Sequence, residues 1–325
     1  MKAIVLTQSG GVENLQPAEI PVASLADDEV LVQVKAISIN PVDAFVRKDG
    51  RRADGSTYLQ HVLKLKEGER PVILGWDISG IVMETGKEVT KFRKGDAVFG
   101  MVRFEGHGKA YAEYVAAPEG HLALKPAGIS HEEAAAASLA ALTAWQALHD
   151  YAKVRKGDKV LIHSGAGGVG HYAIQIAKYL GAYVIATSSS GNKDFVLQLG
   201  ADEHIDYTQE KFEDVVAGMD VVLDSLPEAG HLDRSLAVLK PGGRLISLLT
   251  FFTEEGLVKK VKEKGVYTHR LGVTSDGEGM KAIAGLLEQG KLHSFISQTF
   301  DFDHIGDAHL SIETGRTKGK IVIKL

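Results

Sequence analysis

The stretch Val160-Leu-Ile-His-Ser-Gly-Ala-Gly-Gly-Val-Gly170 constrains this chain more than any other. An apolar run, Val160–His163, leads into a turn that spells G-x-G-x-x-G with Gly165, Gly167 and Gly170. A helical pattern starts there: Val169, Tyr172, Ala173, Ile176, Ala177 and Leu180 fall on one helix face. A second strand pattern, Tyr183–Ala186, follows Gly181. In such a strand–turn–helix unit the first glycine permits a tight turn. The second lets backbone approach a pyrophosphate, and the third lets helix and strand pack closely. The phosphates then rest on free N–H groups at the helix start, where the helix dipole favours negative charge. Because strand and helix flank the glycines on both sides, the stretch predicts a dinucleotide site rather than a merely structural turn.

The end of the second strand bears on which dinucleotide is bound. A site for a free ribose 2′-hydroxyl usually places an acid ~20 residues after the glycines. Here the chain reads Ala186-Thr-Ser-Ser-Ser-Gly-Asn-Lys193, with no acid before Asp194. Small hydroxyls and a lysine suit a 2′-phosphate, which is anionic and accepts hydrogen bonds. This favours NADP(H), although a polar loop followed by a surface lysine would read the same way.

At 325 residues the chain is too long for one ordinary core. Its first ~125 residues read mainly as strands and turns, by alternation and turn residues. Val30–Ile39 alternates for most of its length, and Arg93-Lys-Gly-Asp96 and Arg155-Lys-Gly-Asp158 read as the same turn used twice. The polar segment Gly50–Arg70 resembles an insertion or lid, with a short helix around Tyr58–Leu65. From His131 the pattern changes. Glu132–His149 is alanine-rich behind a possible cap at Ser130, and strands then alternate with helices through Arg244–Leu248. Alternation of this kind implies a parallel sheet covered on both faces. A helix at Glu278–Gln289 and strand-like ends at Ser297–Phe302 and Lys320–Leu325 look too short to stand alone and should return to the first domain.

Composition removes several chemistries. With no cysteine there is no disulfide framework, thiolate nucleophile or cysteine-ligated zinc, which fits a cytoplasmic protein. The 13 histidines include no H-E-x-x-H or comparable pair, so no metal ligands are assigned. His163, at a strand end, reads as a packed or locally hydrogen-bonded residue. No G-x-S-x-G elbow suggests a serine triad. A net charge of −5 gives no field for nucleic acid, and no stretch approaches the ~20 apolar residues of a membrane span.

Further segments carry a family resemblance. They are Ser38-Ile-Asn-Pro-Val-Asp43, Leu74-Gly-Trp-Asp-Ile-Ser-Gly80, Lys94-Gly-Asp-Ala-Val98, Ala110-Tyr-Ala-Glu-Tyr114 and Ala141-Leu-Thr-Ala144. With the glycine loop come Leu199-Gly-Ala-Asp202, Ile205-Asp-Tyr207, Lys240-Pro-Gly-Gly-Arg244 and Gly319-Lys-Ile-Val-Ile323. Each is modest alone, but their order and spacing are specific. The chain resembles the zinc-independent medium-chain dehydrogenases/reductases of the quinone oxidoreductase group over nearly its whole length. The resemblance implies an α/β protein, usually a homodimer. A GroES-like, mainly β catalytic domain (residues 1–126 and 271–325) would be split around a doubly wound Rossmann domain (127–270), with NADPH in the cleft between them. Zinc-using members carry a cysteine at the position of Asn40 and a histidine near Trp76–Asp77, and a further four cysteines for a structural zinc. None of these cysteines is present.

Carried over position by position, the resemblance assigns Asn40 to the nicotinamide end, and Asn40, Asp43 and Tyr58 become the candidate catalytic residues. Thr143 would contact the carboxamide or its ribose. Gly165, Ala166, Gly167, Gly168 and Val169 would meet the pyrophosphate, and Ser188, Ser189, Lys193 and Tyr207 the 2′-phosphate. Ser225 and Leu249 would lie near the nicotinamide. Asn40 and Asp43 can equally be read as a turn residue before Pro41 and a helix cap. A chain without metal or thiolate offers proximity, orientation and polarisation of the acceptor. That suits a quinone or an α,β-unsaturated carbonyl, where hydride addition leaves a resonance-stabilised oxyanion, better than an isolated ketone. Asn40 or a cofactor ribose hydroxyl could bond that oxyanion, with water, Tyr58 or Tyr111 completing protonation. Quinone reduction and enone double-bond reduction both fit these residues, as does an NADPH-binding structural or regulatory protein with little turnover.

Overall fold

The computed structural model describes residues 1–49, 57–65 and 71–325, so most of the polar segment at 50–70 lies outside the described residues. The chain packs as two compact units, Met1–Leu142 with Thr274–Leu325, and Thr143–Val273.

In the Thr143–Val273 unit the continuous apolar runs become the inner strands of one parallel sheet. Lys159–Ile162 and Met219–Asp224 pair side by side, and their apolar residues are buried as expected for strands covered on both faces. The strand order is Glu203–Asp206, Tyr183–Ser188, Lys159–Ile162, Met219–Asp224, Leu239–Ser247 and Tyr267–Arg270. With the strands numbered along the chain this is 3-2-1-4-5-6, the doubly wound Rossmann arrangement. One core cluster is built from Leu161, Val222, Leu245, Leu232 and Leu236, with Phe212 and Leu257 among the residues packed into it. Arg244 ties the sheet's lower edge together, donating to Ala152 O at 2.8 Å and to Asp158 Oδ2 at 2.8 Å.

The other unit is mainly β. Its larger sheet runs Ile296–Asp301, Lys320–Lys324, Glu29–Ile39, Asp77–Thr85, Ala97–Met101 and Leu122–Leu124, with Tyr114–Pro118 also paired to Glu29–Ile39. A second sheet pairs Lys2–Leu6 with Leu15–Glu19 and Val72–Ile73. The C-terminal strand Lys320–Lys324 lies antiparallel against Glu29–Ile39, so the chain's end does return to the N-terminal sheet.

The alanine-rich stretch is not the single helix that its composition suggests. It divides into His131–Ala136, Leu139–Trp145 and a π-helical segment Gln146–Tyr151. At the break, Ser138 Oγ donates to Ala134 O at 3.3 Å, and Leu139 N–H donates to the Asp77 side chain at 2.9 Å. A side chain from a distant strand thus caps the second helix, which helix propensity along the sequence cannot register. His131–Ala136 packs on the larger sheet, with Ala135 and Ala136 against Ala36 and Val322. For that reason the residues after 126 sort with the terminal unit as far as Leu142.

The pairing of Glu29–Ile39 with Asp77–Thr85 depends on Gly80. A Cβ there would lie 2.1 Å from Gln33 O and 2.8 Å from Val32 Cγ1, at a point where the register shifts. Gly80→Ala should therefore destabilise the protein by about 1–3 kcal/mol through overpacking. Urea denaturation followed by circular dichroism checks this, and an unchanged midpoint would show that the strands separate at no cost.

Candidate functional site

The glycine loop of the Rossmann unit is built differently from the simplest reading of its motif. The residue in the left-handed region is Ser164, at φ +53°, and not a glycine of the motif. Gly165 is needed for space: its Cβ would lie 3.0 Å from Ala186 Cβ and 3.2 Å from Ile174 Cδ1. Gly170 is tighter still, for a Cβ would meet Ser164 O at 2.1 Å. Gly167 is the least crowded of the three, its Cβ position touching Ser164 O at 3.2 Å. The helix Gly170–Tyr179 that follows has no side-chain cap on its first turn. His171 N–H already donates to Gly167 O at 3.1 Å, so it is the positive end of the helix and the glycines without side chains ahead of it that fit the diphosphate of a dinucleotide.

Several of the other expected nucleotide residues lie at or just beyond the carboxyl ends of neighbouring strands, where an open parallel sheet binds its ligands. Ser225 follows Met219–Asp224, and its Oγ donates to His163 O at 3.3 Å. Leu249 lies just beyond Leu239–Ser247 and is 47% exposed. Thr143 is nearly buried, on the helix Leu139–Trp145. At the end of Tyr183–Ser188, Ser188 Oγ lies 2.8 Å from His204 Nε2, and Ser188 O accepts from Tyr207 N at 3.3 Å. The Tyr207 side chain is exposed, as is Lys193 at the start of the helix Lys193–Gln198. Ser189 Oγ accepts from Asn192 Nδ2 at 3.3 Å. The fold thus brings Ser188, Ser189, Lys193 and Tyr207 to one corner of the sheet. It also brings an acid that spacing along the chain does not reveal: Asp206 pairs with Ser188 across parallel strands. Asp206 accepts from Thr208 N and Oγ1 at 3.0 and 2.7 Å, and these bonds hold its carboxyl below the usual range.

In the mainly β unit, the strand Glu29–Ile39 delivers Asn40 to the start of the helix Pro41–Lys48. Asp43 accepts from Asn40 N–H at 2.7 Å through Oδ2, so it does cap this helix; its Oδ1 is buried without a partner. The Asn40 amide is held at both ends. Nδ2 donates to Asp77 Oδ2 at 2.8 Å, and Oδ1 accepts from the ammonium of Lys320 at 2.5 Å. Asp43 and Asp77 are fully buried, and Asn40 and Lys320 are each only 2% exposed. Burial raises Asp43 to about 7 against the pull of the Asn40 N–H, and Asp77 adds to the rise. Burial raises Asp77 to about 6, with Lys320, Asn40 and Leu139 N–H holding it from going higher.

Of the three residues proposed as catalytic, Asn40 and Asp43 meet at the start of the helix Pro41–Lys48, and Tyr58 lies on a helix packed against it. Tyr58 starts a separate helix, and its ring stacks on Phe45 at 6.4 Å. Tyr111 is wholly buried, 2.9 Å from His309 Nε2, and burial pushes its phenol well above 10. Asp77 and Lys320 belong to the family segments Leu74–Gly80 and Gly319–Ile323, but sequence reasoning assigns neither a role. The available signal was a charge set among apolar strand residues, in Trp-Asp-Ile and Lys-Ile-Val-Ile.

No spaced histidine set is visible along the sequence, yet folding gathers His163, Asp224 and His231, whose donor atoms lie within 4.8 Å of one another. They already bond locally. Asp224 Oδ2 takes bonds from His231 Nδ1 at 2.7 Å and Ser235 Oγ at 2.8 Å, and Ser235 Oγ lies 3.3 Å from His163 Nε2. Burial pushes His163 down to about 3, so it is neutral. The group acts as a buried brace between two strand ends and the helix His231–Val238.

A doubly wound nucleotide unit inside a split β unit defines the medium-chain dehydrogenase/reductase class. Residues 26–127 match the alcohol dehydrogenase GroES-like domain, and 199–323 match a domain described as zinc-binding dehydrogenase. The chain is similar to 2-methylene-furan-3-one reductase from Solanum lycopersicum, at 36% identity over 99% of this chain and 79% of the relative. It is also similar to the chloroplastic NADPH-dependent alkenal/one oxidoreductase of Arabidopsis thaliana, at 34% identity over 99% and 79%. The solved quinone oxidoreductase of Coxiella burnetii superposes with a TM-score of 0.89 at 36% identity, covering 100% of this chain and 99% of that one. The chain belongs to the medium-chain dehydrogenase/reductase family, among its quinone and enone oxidoreductases.

The raised carboxyls give a test of the buried cluster. Folded Asp43 holds its proton to about 7 against 3.8 for a free carboxyl, so the folded state binds more protons across that window. Its contribution to stability is present at low pH and is lost as pH rises through the window. Asp43→Asn keeps an acceptor for Asn40 N–H but carries no charge. Its unfolding free energy should vary less between about pH 4 and 7 than that of the wild type, measured by urea denaturation at several pH values. An identical pH dependence would mean that Asp43 is not the proton-binding group.

Proposed function

We propose that this protein reduces quinones or α,β-unsaturated carbonyls with NADPH and without zinc. The observation that carries this reading is the Asn40 amide, clamped between Asp77 and Lys320 where zinc-using members of the family place a metal-binding cysteine. Among the described residues, the metal-capable group His163, Asp224 and His231 is a bonded brace in the other unit. The relatives named for alkenal, furanone and quinone reduction support the acceptor class.

The loop Gly165–Val169 would hold the diphosphate. Ser188, Ser189, Lys193 and Tyr207 would hold the 2′-phosphate, and Thr143, Ser225 and Leu249 would flank the nicotinamide. When bound, NADPH supplies a hydride. The chain itself supplies orientation and a hydrogen-bond donor. One Nδ2–H of Asn40 is spent on Asp77, and the second would bond the acceptor oxygen as negative charge develops on it. Such a donor is weaker than a Lewis acid, so conjugated acceptors, whose oxyanion is resonance-stabilised, should be favoured over isolated ketones. A cytoplasmic location and a homodimer, on the grounds of the missing cysteines and the family resemblance, belong to the same proposal.

The cofactor assignment predicts a higher kcat/KM with NADPH than with NADH. Lys193→Ala should weaken NADPH by about 1.5–3 kcal/mol while leaving NADH nearly unchanged. Equal use of both cofactors by the wild type would remove the 2′-phosphate role from this corner.

Assays of quinones, enals, enones and simple ketones with NADPH test the acceptor class. Asn40→Ala should lower kcat/KM for conjugated acceptors by about 10- to 1,000-fold, with NADPH affinity little changed. A folded Asn40→Ala protein that works at the wild-type rate would make Asn40 a turn residue only. No turnover of any acceptor by the wild type would favour a structural or regulatory role instead.

A further inference from the structure

Lys320 opens the strand Lys320–Lys324 ahead of the buried Ile321, Val322 and Ile323, and yet it is only 2% exposed. A lysine there gives up its hydration, and burial lowers its pKa. What compensates is specific. The ammonium donates to Ile39 O at 3.2 Å and to Asn40 Oδ1, and lies 3.9 Å from Asp77 Oδ2. An ammonium can only donate and a carboxylate can only accept. Between these two groups the Asn40 amide has one orientation, oxygen toward Lys320 and nitrogen toward Asp77.

We propose that Lys320 is a positioning residue that, together with Asp77, locks the Asn40 amide so that it presents an N–H to the acceptor. This rests on the reading of Asn40 as the donor. Among the described residues, the charged or titratable groups facing Asp77 are Lys320 from the C-terminal strand, Asp43 from the helix Pro41–Lys48, and Tyr111. Lys320 is the cation among them and attracts both acids. Without it, Asp77 keeps its proton to higher pH. A protonated carboxyl can donate, so it can bond Asn40 Oδ1 and turn the amide over, leaving an oxygen where the N–H was. Raising the pH ionises Asp77 and restores the original orientation.

Four proteins test this: wild type, Lys320→Met, Asn40→Ala and the double variant. Each is assayed from about pH 5 to 9 with one quinone and saturating NADPH. NADPH affinity is measured by fluorescence, and the Asn40 side-chain amide of the wild type is followed by NMR across the same range. Lys320→Met should lower kcat/KM at neutral pH by at least about tenfold, as expected for loss of a preorganised donor. NADPH affinity should be unchanged. The acid limb of the profile, near Asp77's value of about 6, should move to higher pH. In the Asn40→Ala background, Lys320→Met should have no further effect, and the wild-type amide resonances should shift along with the acid limb. The proposal is overturned if Lys320→Met keeps the wild-type rate and profile while Asn40→Ala is impaired, or if the two losses simply add. If Asn40→Ala works at the wild-type rate, the reading of Asn40 fails first, and amide resonances indifferent to pH then overturn the lock as well. The wild-type NMR titration decides the matter should Lys320→Met fail to fold.

Discussion

Asp77 is the point to which much of the mainly β unit is tied. One of its oxygens takes the N–H of Leu139 and so fixes where the alanine-rich helices break. The other takes the Asn40 amide, which stands between the strand Glu29–Ile39 and the helix Pro41–Lys48. Lys320, at the head of the C-terminal strand, supplies the nearby cation. A carboxylate without water is costly unless hydrogen bonds and opposite charge surround it. Those partners come from three separate stretches of chain, and satisfying one buried acid brings all three together. Asp43 repeats the pattern beside it, with fewer partners and a higher proton affinity.

The nucleotide unit solves a different problem. The diphosphate role proposed for its loop needs close backbone approach, and the chain provides for that by packing as much as by backbone freedom. Ser164 takes the left-handed turn, while Gly165 and Gly170 remove side chains that would strike Ala186, Ile174 and the Ser164 carbonyl. Beneath the loop, the brace of His163, Asp224, His231 and Ser235 joins the ends of two adjacent strands. Rigid strand ends give the loops above them a fixed base, which is what a preorganised binding edge needs.

Periodic features are legible in the sequence. The parallel strands, the glycine-loop helix and the return of the C-terminus were all legible, because each depends on local apolar spacing or on glycine. The break in the alanine-rich stretch was not, since it comes from an aspartate more than fifty residues away along the chain. The position of His204 and Asp206 beside Ser188 is likewise not legible, because parallel pairing sets them there and sequence distance does not. Residue type alone groups Tyr58 with Asn40, and only the fold shows its ring stacked on Phe45, on the helix that Asn40 begins.

The sequence by itself determined the kind of chemistry open to this protein. It has no cysteine to bind zinc or attack a substrate, a glycine loop in the right setting for a dinucleotide, and an asparagine where related enzymes carry a metal ligand. Those are matters of residue type and local pattern, and they need no partner from elsewhere in the chain. Only the tertiary structure decided how Asn40 is held. Its amide oxygen faces a lysine 280 residues away, and its nitrogen an aspartate 37 residues away. Which end of a side-chain amide points where is fixed by the charges that meet it, and those charges meet only when the strands pair.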